Sequence, residues 1–243
     1  MASPSLLKEY IPPLLAGNRV ACRKFVRDRV EKTEDATALY YDLLWPAMEH
    51  VDKLFRSDRI NAVAESMATR INRCVADQLQ LNLMQAPPNG KRIIVTCAPG
   101  EPEELGAQMC ADLFEANGWD VYFLGGGVPN DEIFSITGQL RPDILLIFGT
   151  QPSGVPSVRQ LVDMIREIGV NPTMNIMVSG GVFNRAEGLW KEVNADLFAK
   201  TAKDAIPLAE SAEPRWPEPV KVGAPKKRRR RRRPPLLAAS EDN

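Results

Sequence analysis

IIVTCAPGEPEELG, residues 93–106, is the stretch whose reading decides how this chain folds. Ile93, Ile94 and Val95 form an apolar, β-branched run, the composition of a buried strand. Pro99-Gly100 ends it with turn chemistry. Glu101, Glu103 and Glu104 follow, where a helix N-terminus favours negative charge. From Gly106 onward, Met109, Leu113 and Phe114 repeat at helical spacing. The segment reads as strand, tight loop, helix. In an open α/β sheet such a loop lies at the carboxyl end of its strand, where ligands bind. One unit of this kind is common to any doubly wound domain, so the neighbouring segments carry the decision.

Toward the C-terminus the same unit recurs. DVYFL (120–124) is a short β-rich run closed by Gly125-Gly126-Gly127, and Asn130-Asp131 caps a helix through Ile133, Ile136 and Leu140. ILLIF (144–148) is the most hydrophobic strand, with the loop 149–154 after it and Ser157 as the cap of the next helix. NIMV (175–178) is a fourth strand closed by Ser179-Gly180-Gly181, and Leu197-Phe198 is a short fifth. Strands alternating with helices predict βαβ units and a parallel sheet over 90–210.

Toward the N-terminus, residues 1–86 are helical in pattern. Leu6, Tyr10, Leu14 and Leu15 space around Pro12-Pro13, which predicts a break there. Val20, Cys22, Phe25, Val26 and Val30 form a second stretch. Thr33 is the expected cap of a third through Leu39, Leu43 and Leu44, interrupted at Trp45-Pro46. Ile60, Val63, Met67, Ile71, Val75 and Leu79 mark a long fourth helix. Short connections make these a bundle, and QAPPNG (85–90) is the linker.

The 243 residues are 44% hydrophobic, enough for a sizeable core. No apolar run approaches a membrane span of roughly 20 residues, and the first residues lack a secretory pattern. Cys22, Cys74, Cys97 and Cys110 form no CxxC pair, which fits small buried residues in a reducing cytoplasm. The formal net charge is zero, yet eight cations lie together in KKRRRRRR, from Lys226 to Arg233. Without them the acidic residues are in excess by eight, so the folded part is acidic and the Pro- and Arg-rich end, 213–243, reads as a disordered basic tail. Such a run attracts non-specific nucleic acid or another acidic partner; its own acidic body is the alternative.

A helical bundle followed by a flavodoxin-like α/β domain resembles the cobalamin-binding module of corrinoid methyltransfer proteins and cobalamin-dependent regulators. The bundle segment LWPAMEHVDKLFRS (44–57), the helix around AESMAT (64–69), and Gly180-Gly181 followed by Ala195-Asp196 carry the likeness, which spans residues 14–208. The resemblance implies a tetrapyrrole ligand, cobalamin first and haem second, held between bundle and sheet.

The functional positions depart from that pattern. The family's first loop carries Asp-x-His-x-x-Gly, its His being the lower axial ligand to cobalt and its Asp orienting that His. Here Glu101 stands for the Asp, Glu103 for the His, and only Gly106 is unchanged; a carboxylate is a poor substitute for imidazole. Photoreceptor-type members place a Trp, nine residues and Glu-His over the corrin, where this chain has Phe55 and then Glu65-Ser66. The third loop, Gly149-Thr150-Gln151, also differs. His50, the one histidine, reads as an ordinary half-exposed helix residue. The resemblance thus implies cofactor contacts from Phe55, Glu65, Ser66, Glu101, Glu103, Gly106, Gly149, Gln151, Gly180 and Gly181, with no metal ligand from the protein and cobalamin held base-on. Ser153, Ser157 and Ser179 have no histidine partner, so no catalytic residues are assigned. The expected role is a sensory or regulatory binding protein rather than an enzyme. A cofactor-free scaffold, an empty pocket and a methyl-carrier subunit remain the alternatives, and homo-oligomer formation is open.

Overall fold

The computed structural model describes residues 4–32 and 35–216. The basic run from Lys226 to Arg233 and the cap position Thr33 lie outside the described residues. No helix among the described residues is long and apolar enough to cross a membrane.

Five helical segments come first: α1 (Pro4–Leu15), α2 (Arg19–Val30), α3 (Ala36–Leu39), α4 (Trp45–Arg56) and α5 (Ala62–Gln80). Two sequence expectations are corrected here. Helix α1 runs through Pro12 and Pro13 instead of breaking. The carbonyls that the prolines leave without donors belong to Lys8 and Glu9, which are exposed, so water can satisfy them. Trp45-Pro46 does not interrupt the third helix either. Tyr40–Leu44 is a π-helical turn joining α3 to α4, and the Trp45 N–H reaches back five residues to the Tyr40 carbonyl. That wider register accommodates Pro46, which has no N–H to offer, in the first turn of α4. The cap of α3 is Asp35, whose carboxylate accepts from the Thr37 N–H.

The second half follows the alternating pattern: β1 (Arg92–Cys97), α6 (Leu105–Ala116), β2 (Asp120–Gly125), α7 (Asn130–Leu140), β3 (Ile144–Phe148), α8 (Val155–Ile168), β4 (Asn175–Ser179), α9 (Gly181–Arg185), α10 (Leu189–Glu192), β5 (Leu197–Ala199) and α11 (Ala202–Ser211). Helix α8 starts at Val155, ahead of the expected cap Ser157, because Pro156 suits a first helical turn. The strands are all parallel, in the order β2-β1-β3-β4-β5. This is the flavodoxin-like order, and its switch point lies between β1 and β3.

Side-chain alternation divides the core across the sheet. Ile93, Val95 and Cys97 of β1, with Leu146 and Phe148 of β3, point to the face covered by α6, α11 and the bundle. Ile94, Leu145, Ile147, Ile176 and Val178 point to the face covered by α7 and α8. The bundle therefore shares one apolar core with the sheet. The chain beyond α11 is anchored further than expected. The Arg215 N–H donates to the Thr173 carbonyl at 2.8 Å, and its guanidinium pairs with Asp196 at 3.2 Å. The expected start of the tail at Glu213 is corrected to that extent, because Asp196 supplies the countercharge.

Candidate cofactor cleft

Three loops leave the carboxyl ends of β1, β3 and β4 and face α4 and α5 across a cleft of about 660 Å³. Trp45, Met48, Asp52 and Phe55 of α4 line one wall, spaced three and four residues apart so that they share one helix face. Glu65, Ser66, Thr69 and Arg73 of α5 do the same. The opposite wall is Pro102, Glu103 and Glu104 after β1, Phe148, Thr150 and Gln151 after β3, and Gly180, Gly181 and Asn184 after β4. Arg185 bridges the two sides, donating to the Thr150 carbonyl at 2.5 Å and pairing with Asp52 at 3.7 Å.

The three loop glutamates take different jobs. Glu103 accepts from the Leu105 N–H at 3.0 Å, so it caps α6 while its carboxyl faces the cleft. Burial raises its pKa and Glu65 raises it further, against the opposing pull of the Leu105 N–H, Arg73 and Thr69. Glu104 accepts from the Gly126 N–H at 3.1 Å and lies 3.8 Å from Arg73. Glu101 is buried and turns away from the cleft to the β3 loop. Its carboxylate accepts from the Thr150 hydroxyl at 2.6 Å, the Thr150 N–H at 2.5 Å, and the N–H groups of Gln151 and Glu103 at 3.3 and 3.2 Å.

Seven of the residues singled out from the sequence therefore meet at the cleft: Phe55, Glu65, Ser66, Glu103, Gln151, Gly180 and Gly181. Glu101, Gly106 and Gly149 do not line it. A Cβ on Gly106 would sit 2.2 Å from the Phe148 ring, and one on Gly149 would meet Ala98 at 3.3 Å. Their smallness serves packing between elements, not the approach of a ligand. Gly180 has φ +103° and lies with its α-carbon against the Gly149 backbone, where a Cβ would be 2.3 Å from the carbonyl oxygen. His50 is half-buried on α4 and is not among the lining residues. Sequence reading missed Trp45, Asp52, Thr69, Arg73 and Asn184. The first four carried a usable signal, the helical spacing from Phe55 and Glu65.

Two profiles described as B12 binding domain match this chain, one over residues 6–80 and the other over 91–209. Together they span most of the chain, which belongs to the B12-binding family of a helical bundle joined to a flavodoxin-like domain. The chain is 22% identical over 120 residues to trimethylamine corrinoid protein 2 of Methanosarcina acetivorans, covering 49% of this chain and 54% of that protein. It is 18% identical over 216 residues to monomethylamine corrinoid protein 1 of the same organism, covering 86% and 98%. It thus spans about half the length of the trimethylamine relative and of a dimethylamine one. The solved structure of the Methanosarcina barkeri monomethylamine corrinoid protein superposes with a TM-score of 0.77 at 16% identity, over 84% of this chain and 97% of that one. That likeness shows the fold.

The lining fits part of a B12-type group. Trp45, Phe55 and Phe148 offer apolar surface for a flat ring, and the carboxylates, hydroxyls, amides and guanidinium around them suit polar arms. What the lining lacks is an imidazole or a thiolate to coordinate a metal.

Proposed function

We propose that this chain holds a corrinoid in the cleft between bundle and sheet, without a protein nitrogen on cobalt, and acts as a sensory or regulatory protein and not as an enzyme. The observation that carries the reading is Glu103. By the resemblance it stands where the family has its ligating histidine; it lines the cleft, lies near Glu65 and Arg73, and none of the lining residues carries an imidazole. Trp45 and Phe55 on the bundle side and Gln151, Gly180 and Gly181 on the sheet side would hold the macrocycle. When bound, such a group would supply a metal that exchanges a ligand. The protein's part is to bind it, orient it, and shield one face with α4 and α5.

Titration with hydroxocobalamin tests this. Co-migration of the corrinoid with the protein through a desalting column and a rise in melting temperature are expected, since a ligand at 100 times its Kd adds about 2.7 kcal/mol to stability. Absence of both would leave the scaffold role standing. Glu103→His should tighten binding of aquocyanocobinamide, which has no base of its own on the metal, and alter its spectrum, because the variant offers an imidazole nitrogen. The relatives from methylamine systems favour a second reading, a methyl carrier. A methyl carrier must hold the methylated form, so methylcobalamin binding more than about tenfold weaker than hydroxocobalamin would count against that role.

A further inference from the structure

The carboxyl ends of β1 and β3 flank the switch point of the sheet, and a doubly wound sheet opens a crevice there. In this chain that crevice is stitched shut. Glu101, 7% exposed, descends from the loop after β1. It gathers the Thr150 N–H, the Thr150 hydroxyl and the Gln151 N–H of the loop after β3 onto one carboxylate. The Ala98 N–H adds a backbone bond to the Phe148 carbonyl at 2.7 Å. Beside the stitch the Phe148 ring, 2% exposed, occupies the space that any side chain on Gly106 would need. On the far side Gly149 and Gly180 are in direct backbone contact. The carboxylate uses both oxygens on the loops themselves and presents neither to the cleft.

Resting on the function proposed above, we infer that Glu101 is a specificity-determining residue: it closes the switch-point crevice, so the ligand is confined to the bundle side. A corrinoid's nucleotide arm is then not taken up between the strands. To insert it, the chain would have to release three donors of the β3 loop and displace Phe148 from Gly106, with no new partner for the buried carboxylate. The pocket consequently recognises the ring and its polar arms, and a corrinoid without the nucleotide arm is as good a ligand as cobalamin.

The test compares hydroxocobalamin with aquocyanocobinamide, which lacks the arm, on the full chain by titration calorimetry at pH 7, with the visible spectrum of the bound corrinoid recorded alongside. The expected result is Kd values within about threefold of each other, with bound cobalamin keeping the spectrum of its base-coordinated form. Cobalamin binding more than about tenfold tighter, with the spectrum of the base-free form, would overturn the inference. Hydrogen exchange on the ligand-free protein gives an independent reading. The Thr150 and Gln151 amides should exchange slowly in the wild type and fast in Glu101→Gln, which keeps the size of the side chain but replaces one acceptor oxygen by a donor. Equal exchange in both proteins would show that Glu101 is not the closure. Binding of neither corrinoid would refute the proposed function and the ligand half of this inference together, while the exchange data still judge the closure.

Discussion

Gly106 shows how a residue can match a family pattern for a reason the pattern does not state. It is the second residue of α6, and within a helix alanine is favoured over glycine by up to about 1 kcal/mol. The Phe148 ring reverses that sign, because a Cβ would lie 2.2 Å from it. Overpacking of this kind costs about 1–3 kcal/mol. Gly106→Ala is therefore expected to lower the urea midpoint, and adding Phe148→Leu should restore part of the loss. A stabilised Gly106→Ala protein would mean that the ring has room to move. The glycine was visible in the sequence, but its neighbour was 42 positions away and entirely a matter of tertiary contact.

At the scale of elements, the seam between the bundle and α6 contains a buried titratable carboxyl. The Tyr40 hydroxyl lies 2.8 Å from Asp112 and 3.0 Å from the Ala76 carbonyl, with Tyr40 and Asp112 both buried. One hydroxyl proton cannot serve two acceptors fully. Below about pH 6 a protonated Asp112 resolves this by donating to Tyr40, which donates to Ala76; above it Tyr40 donates to the carboxylate. Burial pushes the Asp112 pKa up from 3.8 to about 6, with the Tyr40 bond opposing and Glu115 and Asp77 adding to the rise. The folded chain thus holds the proton more tightly than the unfolded one. Its stabilising contribution is complete below pH 3.8 and is lost as pH rises through about 6. A shift of this size corresponds to about 3 kcal/mol. Asp112→Asn, which donates at every pH, should be more stable than wild type at pH 7 and nearly equal to it at pH 4, as read from urea midpoints. A wild type more stable at pH 7 would show a charged, well-paired Asp112 instead.

For the whole molecule, the consequence of one core shared by bundle and sheet is cooperative unfolding. Tyr40, Leu44 and Trp45 belong to the same apolar cluster as Val95, Leu113 and Phe148, and the Trp45 and Phe148 rings meet edge to face at 6.4 Å. Calorimetry should show a single transition with calorimetric and van't Hoff enthalpies in agreement. Two separate transitions would mean that the contact between the halves is weak. A piece consisting of residues 88–216 alone should lose this cooperativity, because it exposes the face of α6 that the bundle covers.

The alternation of β-branched runs with helical spacing was sufficient, read from the chain alone, for the parallel sheet and the bundle, because periodicity is a local property. The strand positions at 93–95, 144–148 and 175–178 needed no contact information. The helical stripe from Trp45 to Phe55 was equally local, and so was the presence of a carboxylate at Glu103. Local rules failed at Pro12-Pro13 and Pro46, where exposed carbonyls and a π-helical turn allow the helices to continue. They also could not assign the glutamates of the first loop. Glu101, Glu103 and Glu104 look alike as a helix-dipole feature, and only the packed structure sends one to the β3 loop, one to the cleft, and one to Gly126 and Arg73. That choice depends on which donors lie within hydrogen-bonding reach after the sheet has closed, and those donors come from residues up to 50 positions apart.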